Sequence, residues 1–138
     1  MSGPDFLDTN VLVYAFDDTN PEKQRISMHL LRAGVAGKGV ISVQVLAEFA
    51  ATLLHKVTLR STVDTVVRGL DALAPIRTIT PDGELVRRAV EAHTTYGIHF
   101  YDGMIVAAAE RAGCERLLSE DLNSGQKYFS VIVENPFV

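Results

Sequence analysis

The chain has 138 residues, 47% of them apolar and 22% charged, the balance of a soluble globular protein large enough to bury a core. Thirteen basic against seventeen acidic residues leave a net charge of −4, which argues against holding nucleic acid by charge alone. No apolar run reaches the length of a membrane span, and the one cysteine, Cys114, permits no intrachain disulfide.

Met1–Asp5 carries no basic region followed by an apolar stretch, so no secretory leader is expected, and a reducing cytoplasm is the natural compartment. Cys114 reads as a small buried apolar residue. With no repeat, low-complexity run or long linker, residues 1–138 are expected to form one domain.

Short apolar or β-branched runs alternate with helical patterns. The predicted strands are Asp5–Asp8, Gly39–Ser42, Ile76–Ile79, Glu115–Ser119 and Ser130–Val133, each brief enough for a strand covered on both faces. Pro21 suits the first turn of a helix running to Ala33, with Gly34 just past its end. Ser42 suits the N-cap of a helix over Val43–Lys56, whose Leu46, Phe49, Ala50, Leu53 and Leu54 form one stripe.

Helical spacing continues from Thr62 to Leu73, then from Thr80-Pro81 to about His93. Asp102–Arg111 is the last long helix, closed by Gly113. Strands separated by helices imply right-handed crossovers, hence a three-layer α/β/α domain around a mainly parallel, five-stranded sheet.

Four carboxylates stand at the edges of these apolar runs: Asp8, Glu48, Asp102 and Asp121. Asp8 and Asp121 follow predicted strands, Asp102 opens a helix, and Glu48 lies in the second turn of one. In an open α/β sheet ligands bind beyond the carboxyl ends of the strands, and all four acids can reach that edge. Taken singly, each has an ordinary reading as an Asx turn, a solvated helix glutamate, a helix cap or a loop acid.

Together they would need a counter-charge, because stripping water from an unpaired ion costs several kcal/mol or forces protonation. Hard oxygen ligands suit Mg²⁺ or Mn²⁺, the ions of phosphodiester hydrolysis. Gln44, one turn before Glu48, is placed to hydrogen-bond it or to touch substrate. Lys23, Arg25, Lys56, Arg60, Arg87, Arg88 and Lys127 are scattered cations, and none is assigned to a substrate.

The ordered motifs resemble those of the PIN-domain ribonucleases, in particular VapC-type toxins of toxin–antitoxin pairs. The resemblance rests on a strand ending in Asp8-Thr9-Asn10, then Ser42–Phe49 with Gln44, Val45 and Glu48, then Asp102–Ala109, then Ser119–Asp121. It spans Asp5 to Val133. It implies that Asp8, Glu48, Asp102 and Asp121 form an acidic metal-binding centre, with Thr9, Asn10 and Ser119 as its supporting polar shell.

Further implications are cleavage of single-stranded RNA to leave a 5′-phosphate and a 3′-hydroxyl, a homodimer, and an antitoxin whose C-terminal segment blocks the acids. Glu120 is an extra acid beside the fourth position, and alternation along the strand end favours Asp121. His99 and Tyr101 flank Asp102; such side chains more often pack or sit idle on the surface than touch RNA.

Two other readings compete. A phosphotransfer or phosphatase domain with Asp8 as nucleophile wants a second Asp two residues on, where this chain has Asn10. A PIN-like module that binds RNA or protein without cutting would be expected to have lost one of the acids.

Overall fold

The structure is a computed structural model and describes residues 3–56 and 61–138; Arg60 lies outside the described residues. Six strands, β1 (Asp5–Leu7), β2 (Gly39–Ser42), β3 (Arg77–Ile79), β4 (Arg116–Leu118), β5 (Lys127–Tyr128) and β6 (Val131–Glu134), form one sheet in the order β3-β2-β1-β4-β6-β5. All pairings are parallel except β5 against β6. Helices α1 (Thr9–Ala15), α2 (Pro21–Ala33), α3 (Val43–His55), α4 (Val63–Leu73), α5 (Gly83–Tyr96) and α6 (Phe100–Arg111) supply the outer layers.

Phe6, Val40, Ile41 and Leu117 are wholly buried in the central strands, as a sheet covered on both faces requires. The expected three-layer architecture is therefore present, with one strand more than the five expected. The extra strand is β5, two residues paired antiparallel across a tight turn to β6. Too short for a sequence pattern, it exists through its partner.

A further difference is α1. Thr9–Ala15 is a helix, and Val11, Leu12, Val13 and Ala15 are all buried. A helix buried around most of its circumference shows no 3.6-residue alternation, so the period gives no signal. α6 begins at Phe100, two residues before the expected start, because the His99 ring accepts from the Tyr101 N–H and serves as its N-cap. α5 is capped by Asp82 through the Leu85 N–H and ends at Gly97 with φ 67°, where a left-handed residue closes the helix.

The topology fixes the site. After β1 the chain moves outward through β2 and β3, then returns to place β4 on β1's other side. The order reverses between β1 and β4, and a crevice opens at their carboxyl ends. The Asp8 N–H still donates to the Leu118 carbonyl (3.0 Å), so the two chains part just beyond that point.

Close packing of α6 on α5 sets where α6 begins. At Gly103 an added Cβ would lie 2.7 Å from the Ala89 carbonyl oxygen. That neighbour is backbone and cannot step aside, so the two helices would have to separate. We expect Gly103→Ala to lower stability by about 1–3 kcal/mol, the usual cost of overpacking, as read by the midpoint of urea denaturation.

Candidate active site

The crevice receives acids from four separate segments. Asp8 caps α1 where β1 ends; it is 5% exposed and accepts from the Thr9 N–H (2.7 Å) and the Ser119 hydroxyl (2.7 Å). Ser119, fully buried beyond β4, also accepts from the Asp121 N–H (3.1 Å). One hydroxyl thus ties the first acid to the loop bearing the fourth. Asp121 in turn accepts from Asn10 Nδ2 (3.1 Å).

Glu48 projects from α3, whose amino end sits at the same edge because Ser42, the last residue of β2, caps it. Its carboxylate accepts from the Thr9 hydroxyl (2.7 Å) and from Gln44 Nε2 (3.3 Å), and that amide also donates to the Tyr101 carbonyl (3.1 Å). Gln44 therefore links Glu48 to the start of α6, where Asp102 stands half-buried in the first turn with no hydrogen bond to its carboxylate among the described residues. Thr9 donates to two of the acids, Asp8 and Glu48, Asn10 to Asp121 and Ser119 to Asp8.

The acids act on one another. Burial pushes the Asp8 carboxyl up to about 6, with the negative charges of Asp121 and Glu48 adding to the rise against the hydrogen bonds from Ser119 and Thr9. Burial likewise raises Asp102, with Asp121 and Glu48 raising it further and His99 opposing them. No cation pairs with any of the four among the described residues; their partners are hydroxyls and amides.

Glu120, the neighbouring acid, is handled differently. Lys23 forms an ion pair with it and the Tyr14 hydroxyl donates to it (2.7 Å), while Lys23 also lies over the Tyr14 ring. Burial alone would raise this carboxyl, yet the two hydrogen bonds hold it below the usual carboxylate value. Glu120 is turned to a basic partner, whereas Asp121 faces Asn10.

A cleft of about 430 Å³ adjoins these groups, lined by Thr9, Asn10, Val13, Tyr14, Glu48, Thr52, Lys56 and Asp121. Lys56 makes no ion pair among the described residues. Neither Tyr14 nor Thr52 is among the site residues expected from the sequence; Tyr14 meets Glu120 across 106 positions, and Thr52 lies one helical turn after Glu48 and donates to its carbonyl. Thr52 could have been found from its place one turn after Glu48 on α3, whereas no local signal marks Tyr14.

Divalent-ion chemistry fits the donor set in charge and in kind. Every acid is oxygen-only and lacks a counter-ion, and Asn10 Oδ1 is a buried acceptor without a donor beside Asp121. Among the described residues, no three His, Cys, Asp or Glu side chains are grouped to grip an ion together. Mg²⁺ keeps several of its waters and needs only one or two direct carboxylates, so a spread set of acids suits it better than a closed cage.

A family model described as PIN domain matches residues 6–129. No curated protein matches the chain. Among solved structures, DNA-bound VapBC from Salmonella typhimurium is 12% identical, with a TM-score of 0.69 over 97% of this chain and 98% of that one. The VapC20 toxin of Mycobacterium tuberculosis, described as cleaving the sarcin–ricin loop, is 16% identical, with a TM-score of 0.66 over 85% and 89%. A toxin–antitoxin complex from Klebsiella pneumoniae is 21% identical, with a TM-score of 0.66 over 95% and 96%. At these identities the likeness is one of fold.

Proposed function

This chain belongs to the PIN domain family, and we propose that it is a Mg²⁺- or Mn²⁺-dependent endoribonuclease acting on single-stranded RNA, the toxin of a toxin–antitoxin pair. The observation that carries the reading is the β1/β4 crevice, which gathers acids from four segments with no cation paired to them among the described residues, and in which burial and the neighbouring charges raise Asp8 and Asp102.

Asp8, Glu48, Asp102 and Asp121 would hold one or two ions. An ion so held supplies an activated water and stabilises the leaving oxygen of a phosphodiester. The chain's own groups do the positioning. Ser119 and the Thr9 N–H aim the Asp8 carboxylate, the Thr9 hydroxyl and Gln44 aim Glu48, and Asn10 aims Asp121. Lys56 gives the cleft a cation for a substrate phosphate, while Lys23 is occupied with Glu120. The products would carry a 5′-phosphate and a 3′-hydroxyl.

The partner proposals follow from the toxin role: a homodimer, and an antitoxin segment inserted at the acids. The toxin–antitoxin complexes among the similar structures support the second. No helix among the described residues is long and apolar enough to cross a membrane, in keeping with work in the cytoplasm.

Cleavage of unstructured RNA by the purified protein should require added Mg²⁺ or Mn²⁺, stop in excess EDTA and return when the ion is restored. Equal cleavage with and without the chelator would remove the metal mechanism. A protein that binds RNA yet never cuts it would be the inert module instead.

A further inference from the structure

Beside the acids stand two aromatic side chains that the core does not use. His99 and Tyr101 are both exposed, Tyr101 to 56%, and their rings stack 5.8 Å apart at 27° between planes. The sequence favoured packed or idle roles for them, and packing is excluded by this exposure.

Their orientation is set from below. The His99 ring is held as the N-cap of α6 by the Tyr101 N–H (3.2 Å), and the Phe100 ring braces Tyr101 edge-on at 5.2 Å. The Tyr101 carbonyl is tied through Gln44 to Glu48, and Asp102 follows directly in the chain. The pair is thus fixed to the same scaffold as two of the four acids.

We propose that the His99–Tyr101 pair is a stacking platform for an unpaired nucleobase next to the scissile phosphodiester. This deepens the nuclease reading and rests on it. Charge alone is a poor source of RNA affinity for a chain of net charge −4. Three of its cations are taken up by acids of the fold: Lys23 by Glu120, Arg88 by Glu91 and Glu110, Arg116 by Asp5 and Glu134.

Stacking on an aromatic face needs no net charge and tolerates any base. A base within a duplex already stacks on both neighbours, so only an unpaired base is free to leave and lie on these rings. The platform would therefore select single strands while reading little of their sequence.

The test uses a short unstructured RNA that the wild-type protein cuts. Tyr101→Leu should raise KM about tenfold and change kcat less, because stacking holds bound substrate and transition state alike. Tyr101→Trp, which restores a ring, should recover the lower KM. Replacing each base in turn by an abasic ribose should give the wild type a similar penalty at one position beside the cut, and Tyr101→Leu no further penalty there. Binding of the same RNA to an Asp8→Asn protein, followed by fluorescence anisotropy, should show the same tenfold loss with Tyr101→Leu. An unchanged KM, or an abasic penalty equal in both proteins, overturns the platform while leaving the nuclease standing. Wild-type protein that neither binds nor cuts RNA overturns both.

Discussion

Asp8→Asn should reduce RNA cleavage by at least about a hundredfold and, without metal, make the protein more stable at neutral pH. The first effect follows from removing a buried ligand charge, since even partners one step removed from a metal cost 10–100-fold. The second follows from the acid's folded value of about 6 against an ordinary 3.8. A carboxyl raised in this way gives stability that is complete below the unfolded value and is lost as pH rises through the folded one.

At pH 7 the ionised Asp8 therefore costs the metal-free fold about 3 kcal/mol, and Asn at this position avoids that cost. The bond from the Thr9 N–H survives the exchange, while the one with Ser119 reverses and leaves the buried Ser119 proton without its Asp8 acceptor, which offsets part of that gain. Asn can accept from the Thr9 N–H with its oxygen and donate to the Ser119 hydroxyl with its amide. Denaturant midpoints of the two proteins should differ at pH 7 and converge near pH 4. Turnover near that of the wild type would exclude Asp8 as a ligand, and equal midpoints at pH 7 would mean its charge is not strained.

The common edge of the acids could be read from the sequence because Asp8 and Asp121 each follow a strand, while Glu48 and Asp102 stand in the early turns of helices that start at that edge. Ser42 as a cap, and Gln44 one turn before Glu48, could likewise be read from local spacing, and both make the expected bonds. What failed to show was whatever depends on a distant partner. Tyr14 meets Glu120 across more than a hundred residues, and nothing near either residue encodes that contact.

α1 escaped for a related reason. Val11-Leu12-Val13 is continuously apolar with two β-branched residues, so it carries no helical period, and it is a buried helix in the structure. β5 depends wholly on β6. The different surroundings of Glu120 and Asp121 also come from tertiary structure: Lys23 and Tyr14 occupy Glu120, while Asp121 meets Asn10. His99 was unrecognised as a cap because histidine is not among the residues that commonly serve there.

Divalent ions should stabilise the protein in a pH-dependent way, and this tests the site without any knowledge of its RNA. An ion that binds only the folded chain, at a hundred times its dissociation constant, adds about 2.7 kcal/mol. Protons compete for the same oxygens. Asp8 and Asp102 are both held above their ordinary values, so protonation begins to remove the site as pH falls through about 6.

The rise in unfolding temperature on adding Mg²⁺ or Mn²⁺ should therefore be large at pH 7.5 and small at pH 5. It should also shrink in Asp8→Asn, where the variant already lacks the repulsion that the ion relieves and offers it one charge fewer. A shift of the same size at both pH values would place the ion elsewhere on the surface. So would a shift that persists undiminished in the variant, since only a site built on the β1/β4 acids couples the ion to that one carboxylate.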